Sequence, residues 1–540
     1  MKKTKNHRRA RLRICVLERL ESRELLSLAT LADVAATPAV ELGTVKAGAA
    51  KPATNSGPPQ GSVTPAQIRQ AYGFNQLANF PGNLPANGQG QTIAIVDAAG
   101  DPNIKTDLQA FDAQYNLPAP PSFKVVDLGD CTTSPDPNWG TETALDVEWA
   151  HVVAPGANIL LVQTQSGNLL QAEQPSAGPG LLDGVLYARE QPGVSVVSMS
   201  WTAPEFLGEN SFDSYFALGP SDAGVTFVTA AGDNGPPANW PASAPDVVSV
   251  GGTTLQSESN GSYHSELAWS GSGGGISLYE TEPSYQYGVQ GTGVRTTPDV
   301  AYNGDPNTGF PVYVNSAWLA EPVGGTSAGT PQWAGIIAIA DEGRAARHES
   351  ALRSAVADLY QLPATDFHDI ANGAAMPGYN LATGRGTPYV NRIVPGLVNS
   401  TTNPASTGTS ITSVAAQTRV KSALAAVAKV HPRSTADEST PTAPPLETGT
   451  GAPGSSTGIA MAAESLATAS GLNREDLAGL SGSSGQAAAA QGSTSWPVRQ
   501  ARSTDGMVRI DRVEGADSDA FDSLGPSTIG DRLISPAGPA

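Results

Sequence analysis

The residues best suited to chemistry surround Ser327, in the sequence Gly-Gly-Thr-Ser-Ala-Gly-Thr-Pro at positions 324–331. The uncharged run 333–340 follows, and this pattern predicts a tight turn that leads into a buried helix. A serine at such a junction lies where the first N–H groups of the helix favour developing negative charge, and the glycines let a substrate backbone approach. Ser327 is therefore a candidate nucleophile. The alternative interpretation is an ordinary helix cap after a glycine turn.

A serine nucleophile needs a base to take its proton, and two carboxylates have a suitable spacing. Glu142 and Asp146 are four residues apart in a predicted helix over 142–152, so they lie on one face of it. Carboxylates side by side repel, so a coupled pair has one low and one raised apparent pKa. This arrangement suits a general base that works in acid. The alternative is a solvated acidic face, although the apolar neighbours favour burial.

A third carboxylate, Asp233, follows a predicted strand over 225–230 in Ala-Ala-Gly-Asp-Asn-Gly. Open α/β sheets bind ligands at the carboxyl ends of their parallel strands. A protonated carboxyl there could donate a hydrogen bond to an oxyanion, whereas the alternative is an ordinary Asp-Asn-Gly turn. None of the six histidines is an obvious base for Ser327. They are His7, His151, His264, His348, His368 and His431.

The elements that must position these side chains alternate between short apolar strands and helical segments. The predicted strands are 91–97, 122–126, 158–163, 194–200, 225–230 and 247–250, and the predicted helices are 105–115, 142–152, 181–190 and 210–217. Strands that are apolar on both faces are buried on both sides. The alternation predicts an α/β fold with a doubly wound parallel sheet and helices on both faces.

Composition divides the 540 residues into four parts. Residues 1–28 form a basic leader or targeting segment, 29–62 a linker, 63–397 the folded core, and 398–540 a low-complexity tail. The linker and tail are rich in small and polar residues, so we expect them to be mostly disordered. Weak helices are predicted at 412–430 and 465–480.

The charge of −19, from 50 acidic and 31 basic side chains, argues against a nucleic-acid partner. No uninterrupted apolar run reaches the roughly 18 residues of a membrane span. The two cysteines, Cys15 and Cys131, cannot build a disulfide framework. The basic leader favours secretion or exposure at the cell surface, although its apolar part is interrupted by Glu18 and Arg19.

Together, the motifs resemble the sedolisin family of serine-carboxyl peptidases, which have a subtilisin-like fold, act in acid and include tripeptidyl-peptidases. The resemblance spans about residues 63 to 395 and includes the segments 64–74 and 91–97. It implies that Ser327 is the nucleophile, Glu142 the general base and Asp146 its orienting partner. Asp233 would stabilise the oxyanion.

The resemblance also implies two further groups. Asp97 and Trp201 would extend the hydrogen-bonded network behind Glu142. One Ca²⁺ ion would bind near the end of the domain, at Asp369, Ile370, Gly378 and Asn380. Asn380 stands where an aspartate is usual, which removes a charge and weakens the expected calcium affinity.

Two departures from the family pattern matter. Too few residues lie between the leader and Thr64 for the large prodomain of many relatives, which argues against activation by its removal. The short, uncharged loop 236–239 argues against an acidic specificity pocket.

The predicted function is that of a secreted, monomeric serine endopeptidase that hydrolyses proteins or peptides in acid through an acyl-enzyme. Substrate preference and endo- versus exopeptidase action stay open. One alternative is a non-catalytic, surface-associated binding protein on the same scaffold. Another is a subtilisin-type enzyme that uses Asp97, but His151 lies about 140° around the helix from Asp146.

Overall fold

A central sheet of eight strands organises the part of the chain that the computed structural model describes, residues 34–42, 57–131, 137–169, 178–218, 224–370 and 378–401. The predicted leader, nearly all of the predicted tail and the helices predicted at 412–430 and 465–480 lie outside these residues.

The strands are β1 (Thr37–Pro38), β2 (Glu41–Leu42), β3 (Thr92–Ala98), β4 (Phe123–Leu128), β5 (Asn158–Thr164), β6 (Val194–Met199), β7 (Trp201–Pro204), β8 (Thr226–Ala230), β9 (Asn239–Trp240), β10 (Val247–Ser257), β11 (Tyr263–Ala268), β12 (Gly275–Thr281), β13 (Val294–Thr297), β14 (Val300–Asn303), β15 (Tyr313–Val314), β16 (Ala317–Trp318), β17 (Val323–Gly324), β18 (Phe367–His368) and β19 (Thr387–Pro388). The α-helices are α1 (Pro65–Ala71), α2 (Ile104–Tyr115), α3 (Pro137–Val153), α4 (Leu181–Arg189), α5 (Thr326–Ala345), α6 (Ala355–Gln361) and α7 (Val390–Val398).

The main sheet has the strand order β11-β10-β8-β6-β3-β5-β4, and β14 also pairs with β10. All of its pairings are parallel except that of β10 with β11. Within this sheet the chain starts at β3 in the middle, crosses to β4 at one edge, returns to β5 between them, and then continues on the other side of β3 through β6. The strand order therefore reverses beside β3, the place where open α/β sheets form a ligand crevice.

Alternate residues of β3 enter two different hydrophobic clusters, one on each face of the sheet. Ile93 and Ile95 pack with residues of α3 and α5, whereas Ala94 and Val96 pack with residues of α4. Since successive side chains of a strand point to opposite faces, both faces of the sheet are covered. The predicted subtilisin-like α/β fold is confirmed.

The predicted elements are present, with two differences in extent of more than two residues and one difference of type. Helix α3 begins at Pro137 rather than at residue 142, and β10 continues to Ser257 rather than ending at residue 250. The helix predicted over 210–217 is a 3₁₀-helix, Glu209–Tyr215. Five of its seven residues are polar, namely Glu209, Asn210, Ser211, Asp213 and Ser214, which leaves too few apolar side chains for a longer buried helical face.

Part of the predicted linker also has defined structure. Residues 34–42 contain β1, which pairs antiparallel with β7, and β2, which pairs antiparallel with β17. Among the described residues, no helix has both the length and the apolar character needed to span a bilayer.

Helices α3 and α5 carry the candidate base and nucleophile, and they touch at a glycine. A Cβ added at Gly335 would lie 2.7 Å from Cγ1 of Val153 in α3. The absence of a side chain at Gly335 therefore sets how closely the two helices approach.

Gly335→Ala should therefore lower the free energy of unfolding by about 1–3 kcal/mol, because a methyl group overpacks the contact between α5 and α3. Chemical denaturation of the full chain measures this. Gly140→Ala in α3 is the matched control, since a Cβ there meets nothing within 4 Å and should stabilise the helix by about 0.5–1 kcal/mol. Equal effects of the two substitutions would contradict the close helix contact.

Candidate active site

Ser327 is the second residue of α5, directly after the tight turn that its glycines predict. Gly325 precedes the helix with φ of 102°, a conformation that favours glycine, and an added Cβ would lie 2.6 Å from Oδ2 of Asp233. The Ser327 side chain is fully buried, and its hydroxyl donates a long hydrogen bond of 3.3 Å to the Ser200 carbonyl oxygen.

Glu142 and Asp146 lie on one face of α3, as their spacing predicts, and both are fully buried. This contradicts the alternative of a solvated acidic face. Oδ1 of Asp146 accepts a 2.8 Å hydrogen bond from the Ser200 hydroxyl. Neither carboxylate oxygen of Glu142 forms a hydrogen bond of ideal geometry, but the Ser327 hydroxyl and the Asp146 carboxyl both lie close enough to interact with it.

The electrostatics connect Glu142 to the other predicted residues. Burial raises its pKa well above the usual range, and the nearby charges of Asp146 and Asp97 raise it further. The Ser327 hydroxyl acts in the opposite direction, because it lies close enough to favour the ionised form of Glu142. The serine and the carboxylates therefore share one desolvated site.

Asp233 lies at the other side of the turn, just after β8. Its Oδ1 accepts hydrogen bonds from the backbone N–H and the hydroxyl of Thr326, both at 2.8 Å. Its Oδ2 is buried without a partner, and burial raises its pKa to about 7. Below that pH the carboxyl is protonated, so the free oxygen can donate a hydrogen bond into the site.

The network behind Glu142 differs from the one implied by the resemblance. Asp97 is fully buried, and burial raises its pKa to about 7. It also raises the pKa of Glu142 and Asp146 through its charge. Trp201, by contrast, donates its indole N–H to the Val96 carbonyl oxygen at 2.9 Å. It fixes the end of β3 and does not bond to a carboxylate.

Sequence reasoning missed Ser200 and Thr326. The carbonyl oxygen of Ser200 accepts a hydrogen bond from the Ser327 hydroxyl, and the hydroxyl of Ser200 donates a hydrogen bond to Asp146. Its position directly after β6, at the carboxyl end of a central strand, was the available signal. Thr326 bonds to Asp233 and also accepts the Gly232 N–H at 3.0 Å, so it ties the end of β8 to the start of α5.

Three of the four described histidines have partners elsewhere, and the fourth, His348, is exposed. Nε2 of His151 lies 2.6 Å from the Pro118 carbonyl oxygen and 3.5 Å from Asp112. His264 pairs with Glu258 at the surface, and His368 stacks on Tyr263. None of these rings hydrogen bonds to Ser327, so the arrangement contradicts the alternative of a subtilisin-type triad.

Two of the residues predicted to bind calcium, Ile370 and Asn380, are hydrogen bonded to each other. The Asn380 amide nitrogen, a donor, bonds to the Ile370 carbonyl oxygen at 3.2 Å. The Asn380 amide oxygen accepts the N–H groups of Ala382 and Thr383. Asp369 is exposed, Gly378 has positive φ, and residues 371–377 lie outside the described residues. The calcium site stays a prediction of the resemblance.

Comparison with known proteins finds similarity to subtilases and to sedolisin-type peptidases. A model of the subtilase family matches residues 136–362. Kumamolisin of Bacillus sp. (strain MN-32) is 32% identical over 381 residues, which cover 63% of this chain and 64% of kumamolisin. Sedolisin of Pseudomonas sp. (strain 101) is 27% identical over 338 residues, 54% of each protein. The chain thus spans about half to two thirds of the length of these relatives.

A solved structure decides the fold. Pseudomonas sedolisin, complexed with two molecules of pseudo-iodotyrostatin, superimposes with a TM-score of 0.53 and 23% identity. The match covers 63% of this chain and 98% of the other. The resemblance to the sedolisin family is confirmed. Within a sedolisin-like chain, the convergence of Glu142, Asp146, Asp233 and Ser327 on one buried site is the feature that bears on function.

The pH dependence of stability follows from the raised carboxyl pKa values. Asp97 and Asp233 are easier to ionise in the unfolded chain, so the folded state loses stability as pH rises through about 7. The thermal transition temperature should therefore fall between about pH 5 and pH 8. The Ser327→Ala variant is used for this measurement, because it lacks the candidate nucleophile.

Asp97→Asn and Asp233→Asn are the matched variants for this measurement, because an amide cannot ionise. Each should flatten the dependence of the transition temperature on pH. A transition temperature that rises over this range would contradict the raised pKa values of these two buried carboxyls.

Proposed function

We propose that this chain is a serine-carboxyl peptidase that hydrolyses peptide bonds in acid through an acyl-enzyme on Ser327. The observation that carries the proposal is the placement of a buried carboxylate, Glu142, beside a buried serine at the start of a helix. The relatives named as kumamolisin and sedolisin support it.

The first step is nucleophilic attack. Two ionised carboxylates cannot share a desolvated site without strong repulsion, so Glu142 and Asp146 hold one proton between them. With that proton on Asp146, Glu142 is ionised and accepts the Ser327 proton as the oxygen attacks the carbonyl carbon. The Ser200 hydroxyl keeps Asp146 oriented. Glu142 then returns the proton to the leaving amine, and water repeats the sequence to release the acid.

The second requirement is a place for the negative charge that develops on the carbonyl oxygen. Helix α5 supplies backbone N–H groups at its first turn, where the helix dipole favours an anion. Asp233 supplies its free Oδ2, which donates a hydrogen bond while it is protonated. Both groups are preorganised, because Thr326 holds Asp233 through two hydrogen bonds.

Acid operation follows from the same residues. The base acts in the state in which the Glu142–Asp146 pair has lost one of its two protons, and burial raises the pKa of both carboxyls. The oxyanion donor Asp233 requires protonation, which is lost as pH rises through about 7. We further propose secretion, which rests on the basic leader and the family resemblance.

Replacement of the nucleophile or base tests the mechanism. Ser327→Ala should reduce hydrolysis of an unfolded protein near pH 4 by at least about 10³-fold, and Glu142→Gln by about 10²–10⁴-fold. Release of acid-soluble peptides by the full chain measures this.

Glu148→Gln is the matched control on the same helix. Glu148 is buried and accepts the Tyr313 N–H at 3.2 Å, a role that the amide oxygen of glutamine keeps, so activity should persist. Full activity of Glu142→Gln would overturn the assignment of the base. A folded wild-type chain that cleaves nothing at any pH would support the binding-scaffold alternative.

Replacement of Asp233 separates its two roles. Asp233→Ala removes the oxyanion donor and should lower kcat by about 10²–10³-fold at pH 4. Asp233→Asn keeps both an acceptor for Thr326 and a donor for the oxyanion, so it should retain more activity than Asp233→Ala. Steady-state kinetics across pH 3–8 measure both variants, and equal losses would count against a donor role.

A further inference from the structure

The turn that begins at Asn380 is closed by backbone hydrogen bonds in both directions. The Asn380 N–H donates to the Gly384 carbonyl oxygen at 3.0 Å, and the Gly384 N–H donates to the Asn380 carbonyl oxygen at 2.8 Å. The resemblance to the sedolisin family assigns Asn380 and Ile370 to a calcium site. The hydrogen bonds of the Asn380 side chain indicate a different way of joining these two segments.

The amide oxygen of Asn380 is fully engaged within the turn. It accepts the backbone N–H groups of Ala382 at 3.0 Å and Thr383 at 2.8 Å. An amide oxygen has two lone pairs, and both are used here. Rotation of the amide by half a turn would place its NH₂ group against these two N–H donors. The network therefore fixes the nitrogen as the end of the amide that faces Ile370.

The amide nitrogen of Asn380 carries the contact to the distant segment. It donates to the Thr383 hydroxyl oxygen at 2.6 Å and to the Ile370 carbonyl oxygen at 3.2 Å. These two bonds use both of its N–H groups. Ile370 lies ten residues earlier in the chain and is only 1% exposed, so its carbonyl group needs a partner within the protein.

An N–H group and a cation satisfy a carbonyl oxygen in the same way, because both present positive charge to its lone pairs. They differ in what they require on the opposite side. A carboxylate opposite the Ile370 carbonyl oxygen would bring two acceptors together, which is unfavourable unless a cation lies between them. An amide at position 380 needs no such bridge.

The remaining predicted ligands are poorly placed to attract a cation. Asp369 is exposed to solvent, and the backbone carbonyl groups of Ile370 and Gly378 carry no net charge. Calcium affinity rises with the number of charged ligands and with the rigidity of the site. A cation here would meet one exposed carboxylate, and it would have to break the bond between Asn380 and Ile370.

The same turn supports the segment that carries the candidate oxyanion donor. The Ala382 carbonyl oxygen accepts the Ser272 hydroxyl at 2.7 Å. The next residue, Gly273, donates its N–H to the Gly232 carbonyl oxygen at 2.6 Å, and Asp233 follows directly. Two hydrogen bonds therefore connect the 380–384 turn to the loop on which Asp233 lies.

We propose that the side-chain amide of Asn380 takes the place of a calcium ion in this chain and joins the 380–384 turn to Ile370 without a metal. The stability of the fold is then independent of calcium, and so is the support of the Asp233 loop. This inference concerns the closure of the chain near β18 and β19, and it does not depend on the proposed peptidase activity.

The first test is the response of the full chain to calcium, measured on the Ser327→Ala variant. Elemental analysis of the purified protein should find no stoichiometric calcium. Its thermal transition temperature should change by less than about 1 °C when a chelator is added, or when about 10 mM CaCl₂ replaces MgCl₂. A larger fall with the chelator, or a larger rise with calcium, would overturn the proposal.

Asn380→Asp, made in the Ser327→Ala chain, tests the amide itself. It keeps an acceptor for the two N–H groups of the turn but replaces the donor that faces Ile370 with a second acceptor. At about pH 6, where an aspartate is ionised, the transition temperature in chelator should fall by about 2–6 °C. Calcium should restore most of this loss, because the new carboxylate supplies a charged ligand.

Asn260→Asp is the matched control for the change of charge. The Asn260 amide oxygen also caps a turn, where it accepts the Ser262 N–H at 2.9 Å, and the residue is exposed. Because an aspartate keeps this acceptor, the transition temperature should stay within about 1 °C of the parent chain, with or without calcium.

The result for Asn380→Asp can count against the proposal in two ways. A variant as stable as the parent chain in chelator would show that the amide N–H does not hold the turn. A loss that calcium does not restore would show that the amide does not replace a cation. Either result would overturn the inference, whereas a failure of the proposed peptidase function would leave it unaffected.

Discussion

The desolvation of carboxyl groups around Ser327 is the constraint on which the rest of the site depends. Glu142, Asp146 and Asp97 are fully buried, and the groups that shift their pKa values include no basic side chain. Protons are therefore the available means of neutralising them. Greater stability in acid and the protonation of Asp233 follow from this one electrostatic condition, and the chemistry in acid that we propose depends on it.

Much of the site could be predicted because its signals are local. Residues four apart lie on the same face of any α-helix, so Glu142 and Asp146 could be paired from their spacing alone. The glycines before Ser327 predict the tight turn that the structure contains. Asp233 could be placed because the carboxyl ends of parallel strands meet at one edge. The six strands were predictable since each is apolar on both faces, which only a covered sheet permits.

The remaining features depend on contacts between distant parts of the chain. The position of Ser200 directly after β6 indicates that it lies near the site, but the residues next to it in sequence do not indicate that it binds Asp146. That hydrogen bond depends on how β6 packs beside α3. Residues 34–42 have no hydrophobic period and would not form strands alone. They become strands because β7 and β17 offer backbone partners, which a composition-based interpretation as a linker cannot detect.

The backbone pairing of residues 34–42 with β7 and β17 has a consequence for the recognition of peptides. Main-chain N–H and C=O groups make most of the contacts of this segment. Every non-proline residue carries both groups, so a site that binds a chain in this way selects for an extended conformation more than for a particular sequence. About nine consecutive residues must be free of other structure to lie in it. A compactly folded protein rarely exposes such a stretch, so the peptidase activity that we propose would act first on unfolded proteins.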